Sequence, residues 1–195
     1  EVPNFPQDPE CKTTRPVPFS RELYIEQDDF SETPPPKYFR LAPGREVRLM
    51  NAYYVTCTDV VKNAQGEIIE VHCSYDPATR GGMSEDGRKV KGTIHWVDCA
   101  QAVDAEVRLY ERLFEDAHPE DLPEGEVFTT HVNRESLEVL DHAKLEPSLR
   151  EVTSGEAFQF VRNGYFCPDS KDSVPGKLVF NRTISLVDTW AKMQA

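Results

Sequence analysis

The chain has 195 residues, and no apolar run in it approaches the roughly 20 residues that a membrane-spanning helix needs. The first residues, E-V-P-N-F-P-Q-D-P-E, have neither the basic start nor the apolar stretch of a secretory signal. They also do not begin with Met, so the chain is expected to be cut from something longer. Its five cysteines (Cys11, Cys57, Cys73, Cys99, Cys167) include no C-x-x-C pair, which argues against a disulfide framework and a zinc signature. Free thiols fit a cytoplasmic location. The five histidines form no H-x-x-H pattern, and no metal site is expected. Phosphate-binding glycine loops and the G-x-S-x-G elbow are missing as well. The adjacent carboxylates Asp28-Asp29 and Glu85-Asp86 read as turn acids rather than an acid–base couple. With no catalytic constellation, the chain reads as a binding module. It is short of positive charge too: 22 Lys and Arg face 34 Asp and Glu, a net charge of -12. That balance excludes nucleic-acid binding over the whole surface, so any such contact must be local.

One stretch runs against the acidic balance. Lys37–Tyr53 holds Lys37, Arg40, Arg45 and Arg48 against Glu46 alone, so four positive charges less one negative leave +3. Tyr38 and Phe39 supply aromatic rings beside them. A second basic island, Arg88, Lys89 and Lys91, surrounds Val90. A solvated strand edge and a docking surface for an anion both produce such islands.

Periodicity predicts strands through most of the chain. They are expected over Arg15–Ile25, Glu46–Thr58, Glu67–Tyr75, Arg88–Val97, Ala105–Leu113, Leu137–Leu145 and Leu178–Val187, with a hairpin over Glu156–Cys167 turning at Asn163-Gly164. Alternation puts Val47 and Leu49 on one face and Arg48 on the other. It also puts Ala105, Val107, Leu109 and Leu113 on one face. Short helical pieces are expected at Asp28–Glu32 and Asp188–Met193, and Trp96 and Trp190 are expected to pack in cores. Many short strands with frequent turn signals, in a chain of this length, predict an all-β fold of two small antiparallel β-barrels with short helices.

Five strings in order carry a resemblance. They are V-R-L-M-N-A-Y (47–53), G-R-K-V-K-G-T-I-H-W-V (87–97), E-V-R-L-Y-E-R-L-F (106–114), A-F-Q-F-V-R-N-G-Y-F-C-P-D-S (157–170) and F-N-R-T-I-S-L-V-D-T-W (180–190). Together they resemble the anticodon-binding region of glutaminyl-tRNA synthetases across nearly the whole chain. The resemblance implies a linker or extension at 1–13, a proximal barrel from 14–27 plus 98–195, and a distal barrel from 28–97.

The resemblance also implies roles for single residues. Arg40 matches the arginine that reads the third anticodon base, a G. An arginine fork on that base edge is worth roughly 1–3 kcal/mol of discrimination. Arg48 matches a basic residue near the first base, and Gln159 the glutamine that reads the central U. Arg162 is implied in phosphate or base contact and Lys37 in anticodon binding; Arg88, Lys89 and Lys91 are at most backbone contacts. The pattern departs from the family at Lys37, Phe39 and Met50, where Gln, Lys and Arg are usual. The implied partners are tRNA(Gln) and, through a class I catalytic domain absent from this chain, L-glutamine and ATP with Mg. No cofactor is implied in the chain itself, and it is expected to be a monomer. Two alternatives stand beside this: the same region of a eukaryote-type glutamyl-tRNA synthetase, and an acidic β-barrel protein-interaction module without nucleic acid.

Overall fold

A computed structural model describes residues 1–186 apart from Ala117, Glu124 and Thr153. The helical end expected at Asp188–Met193, Trp190 and the last residue of the Leu178–Val187 strand lie outside the described residues. The chain divides into two compact units, Glu1–Ala102 and Val103–Ala195. A division at one point does not decide which barrel a shared strand would complete.

The first unit contains β1 (Val2–Pro3), β2 (Thr14–Arg15), β3 (Leu23–Ile25), β4 (Glu46–Leu49), β5 (Tyr54–Lys62), β6 (Ile68–Asp76), β7 (Thr93–Ile94) and β8 (Trp96–Asp98). β1 folds back on β2, and β3 pairs antiparallel with β8. The main sheet runs β6-β5-β4-β7, antiparallel except for the β4–β7 edge. Its buried face is Leu41, Val47, Leu49, Ala52, Val55, Cys57, Ile94 and Trp96. Val47 and Leu49 thus face the core as alternation requires, and Trp96 packs there while its indole N–H donates to the Met50 carbonyl at 2.9 Å.

Three expected strands are broken here, each for a local reason. Arg15–Ile25 is extended only at its ends, because Pro16 and Pro18 bring no backbone donor to a ladder. Glu46–Thr58 is two strands rather than one. Asn51 takes a positive φ of 57°, which asparagine tolerates better than most residues, and Leu49 N–H donates back to the Tyr53 carbonyl at 2.8 Å. In Arg88–Val97 the strand character begins only at Thr93. The segment before it is held by Arg88 and by a close backbone pass at Gly92, both described below.

The second unit contains β9 (Val103–Tyr110), β10 (Leu137–Leu145), β11 (Phe158–Phe160), β12 (Gly164–Pro168) and β13 (Leu178–Ser185) in the order β10-β9-β13-β12-β11. β9 and β13 run parallel; the other neighbours are antiparallel. Ala105, Val107, Leu145, Phe166, Leu178 and Phe180 form the core, with Phe158 and Phe160 packed against it. Phe160 and Phe166 stack with centroids 4.3 Å apart. Burying aromatics of this kind contributes about 1.5–3 kcal/mol each. Leu113 does not share the face of Ala105 and Val107, because β9 ends at Tyr110 and Leu113 is left exposed. The hairpin of β11 and β12 turns at Val161-Arg162-Asn163, with Arg162 at φ 68°. Gly164 opens β12 because a Cβ there would stand 2.4 Å from the Ile184 carbonyl oxygen.

Among the described residues, regular structure of four or more residues is strand apart from one 3₁₀ turn, and the remaining helical pieces are 3₁₀ turns of three residues, one of them Gln27–Asp29. Within each main sheet the pairing runs from one edge strand to another. Among the described residues no helix is long and apolar enough to cross a membrane.

Candidate nucleic-acid interface

In the first unit the two basic islands, 40 to 54 residues apart in sequence, line one cleft. Its walls are Pro34–Pro36, Lys37, Tyr38, Phe39, Arg45, Glu46 and Lys89–Gly92, around about 670 Å³. Main chain brings them together. Gly92 passes so close to residue 39 that a Cβ on it would lie 1.9 Å from the Phe39 carbonyl oxygen, and Gly92 C=O accepts from Arg48 N–H at 2.9 Å. Only glycine permits that approach. Lys37, Lys89 and Lys91 are exposed on the cleft. Phe39 is 49% exposed, and the Lys91 ammonium sits 5.0 Å from its ring centroid. An open aromatic face among ammonium groups suits an unpaired base with its phosphates.

Arg40 is set from below. Its Nε lies 3.4 Å from the carboxylate of Asp29, a wholly buried residue, and its Nη1 donates to the Asp28 carbonyl at 3.2 Å. Asp29 is in turn fixed by the chain, since its carbonyl accepts from Leu41 N–H at 2.9 Å. Tyr38 is buried in the same corner, its hydroxyl donating to the Asp28 carbonyl at 2.9 Å, and desolvation pushes its phenol up to about 12. Arg45 donates to the Tyr38 carbonyl, so it braces the loop that presents Lys37, Phe39 and Arg40.

Arg48 is half-buried. Its guanidinium lies 5.6 Å from the Tyr54 ring centroid, and a Cβ on Gly82 would come within 3.0 Å of its Cδ. Its Nε is buried with no hydrogen-bond partner. Arg88 takes the other flank of Tyr54 at 5.2 Å. Three carboxylates hold it: Glu46 at 3.0 Å through Nε and Nη2, Asp76 at 2.5 Å and Asp86 at 2.6 Å. The two backbone and side-chain hydrogen bonds from Arg88 hold Asp86 down at about 2, the backbone N–H being the larger. The Arg88 fork is therefore turned to the protein, while Lys89 and Lys91 are turned to solvent.

In the second unit Gln159 stands in the middle of β11 on the face opposite Phe158 and Phe160 and is exposed. Its cross-strand partner is Tyr165, 39% exposed, and Tyr165 pairs onward with Ile184. The row thus offers an amide beside an aromatic ring. Arg162 is half-buried in the adjoining turn. Arg108, like Arg88, is bound by acids, with Glu106 at 2.6 Å and Asp172 at 2.8 Å. Nearby Asp169 is held at about 2, first by the Asp172 backbone N–H and then by Asn181.

The structure groups Lys37 with Lys89 and Lys91, and Arg48 with Arg88. Gln159 lies beside the Arg162 turn in the other unit. Sequence reasoning did not single out Arg45 as a brace, Asp29 as the anchor of Arg40, or Phe39 with Lys91 as a pair. Arg45 and Phe39 lay in the basic island itself. Nothing local marks Asp29, whose role depends on burial.

In an acidic all-β chain, an open aromatic face among exposed ammonium groups is a surface chemically suited to unpaired nucleotides. Comparison with known proteins agrees. Two family models match, each described as "tRNA synthetases class I (E and Q), anti-codon binding domain", over residues 1–76 and 93–169. The glutamine–tRNA ligase of Nitrobacter hamburgensis is 56% identical over 195 residues, covering 100% of this chain and 34% of that protein. That of Bradyrhizobium diazoefficiens is 55% identical over 192 residues, 98% of this chain and 33% of the relative. That of Clostridium kluyveri is 50% identical over 186 residues, 95% and 33%. The chain belongs to the anticodon-binding domain family of the class I (E and Q) tRNA synthetases. It spans about a third of the length of the curated relatives it matches.

Proposed function

We propose that the chain reads the anticodon of tRNA(Gln) as part of a cytoplasmic, monomeric glutamine–tRNA ligase. In that protein a catalytic domain outside this chain would join glutamine to the tRNA using ATP and Mg. No residue of this chain is assigned to ATP or to the metal. The observation that carries the reading is the single cleft that both basic islands line, an aromatic face among exposed ammonium groups in an otherwise acidic chain. Polyanion binding there is local, and the acidic remainder disfavours docking elsewhere.

The roles divide by chemistry. Arg40 presents a guanidinium oriented by buried Asp29 and is assigned to the third base, a G, through its O6 and N7 edge. Arg48 is assigned to the first base, with its stem fixed against Tyr54. Gln159 offers both a donor and an acceptor to the central U, and the exposed ring of Tyr165 beside it offers a stacking face. Lys37, Lys89, Lys91 and Arg162 are assigned to phosphates. Arg88 is assigned to holding its loop.

Titration of the chain with anticodon stem-loops tests this. The stem-loop with the glutamine anticodon binds more tightly than one with its central U replaced, and Gln159→Ala erases most of that difference. Equal affinity of the unaltered chain for both stem-loops would overturn the role of Gln159.

A further inference from the structure

Cys57 and Cys73 stand directly opposite each other in the antiparallel β5–β6 pair. Residues so placed project from the same face of the sheet, with Cα atoms about 4.5–5.5 Å apart. That range lies inside the about 4.4–6.8 Å window across which a disulfide closes. Both are free thiols in this structure.

Their surroundings differ in a way that suits stepwise exchange. Cys73 is exposed on β6, the edge strand of the sheet. Cys57 is 2% exposed in the core, and its backbone is held from the far side, its carbonyl accepting from Gly44 N–H at 2.9 Å. Its thiol points along the strand toward the Asp59 carbonyl, 3.7 Å away, at a register shift that leaves Thr58 as the extra residue. Bulges of this kind re-aim side chains. Entry is through the exposed Cys73.

We propose that Cys57 and Cys73 form a thiol–disulfide exchange site that low-molecular-weight disulfides close into a cross-strand disulfide between β5 and β6. The Cys73 thiolate attacks one sulfur of the small disulfide and displaces the other half as a thiolate. Cys57 then attacks the Cys73 sulfur and displaces the second half. Two electrons pass from the protein dithiol to the small disulfide, and the two protons end on the two small thiols released. Desolvation, and after it the neighbouring Cys57 sulfur, push the Cys73 thiol up to about 11, so little thiolate is present at neutral pH and exchange is slow.

The test is incubation of the 195-residue chain with oxidised glutathione at mildly alkaline pH, followed by intact-mass measurement and peptide mapping. The expected product has lost the mass of two hydrogen atoms, contains a peptide cross-linked through Cys57 and Cys73, and reverts with dithiothreitol. Cys57→Ser traps the glutathione adduct on Cys73 instead. A stable adduct on Cys73 in the unaltered chain, a cross-link through other cysteines, or no modification of either residue would each overturn the proposal. Circular dichroism of the unaltered chain before and after treatment keeps an unfolded product from being taken for the expected one.

Discussion

Gly92 shows how a single residue sets the geometry of the interface. Its missing Cβ lets β7 approach the loop that carries Phe39, and an alanine would place carbon 1.9 Å from a carbonyl oxygen. Backbone on both sides leaves no flexible group to yield. Gly92→Ala is expected to destabilise the chain by about 3 kcal/mol, the upper end for an overpacked site, read as a lower urea midpoint with an unchanged slope. Asp86 offers a second test at this scale. Its folded pKa of about 2 lies below the ordinary carboxylate value of about 4. The stability it contributes is therefore complete above about pH 4 and is lost as pH falls through about 2. The stability difference between the parent and Asp86→Asn is expected to shrink over that interval and vanish below it, as measured by denaturant melts at stepped pH.

Among elements, the segment 83–92 has no strand pairing and depends on Arg88. One guanidinium ties it to β4 through Glu46 and to the end of β6 through Asp76. Arg88→Gln removes the charge and most of the fork, so trypsin is expected to cut after Lys89 and Lys91 faster in that variant, while the β5–β6 hairpin stays resistant. Equal cleavage rates would mean that the Gly92 pass alone holds the segment. This segment also marks where sequence reading stopped. β6, β9 and β10 were legible as strands, but only β9 buries alternate residues, Ala105 and Val107; β6 and β10 are largely exposed, and β5 was read as the continuation of β4. The hairpin of β11 and β12 was legible, although its turn falls at Val161-Arg162-Asn163 rather than Asn163-Gly164, with Gly164 already paired in β12. Arg88–Gly92 alternates too, but its shape comes from three carboxylates as far as 42 residues away, which no local pattern records. In the same way, Arg40 could be picked from its motif, whereas the buried carboxylate that aims it could not.

Across the whole molecule, the charge that matters is much smaller than the composition suggests. Of the 22 cationic residues, Arg40, Lys62, Arg88, Arg108, Lys144 and Arg182 are among those engaged by acids, and Arg45 by the Tyr38 carbonyl. Lys37, Lys89 and Lys91 remain exposed on one cleft. Phosphate contacts by these three lysines and Arg162 on a single-stranded loop imply a log–log salt slope of about −3, and each lysine changed to alanine is expected to flatten it by about 0.7. Stem-loop affinities measured across a series of salt concentrations give both numbers. A slope near zero would remove phosphates from the account of the cleft.

Because the Gly92 pass, the Arg45 brace and the Arg88–Glu46 tie fix the outline of the cleft, its shape belongs to residues other than the exposed Lys37, Phe39 and Lys91 that give it its chemistry. Shape and lettering can therefore change independently. Residues such as Lys37, Phe39 and Lys91 can be rewritten to suit a different nucleotide without rebuilding the socket. A new reading preference at this surface needs only exchanges at its rim, as long as position 92 stays bare.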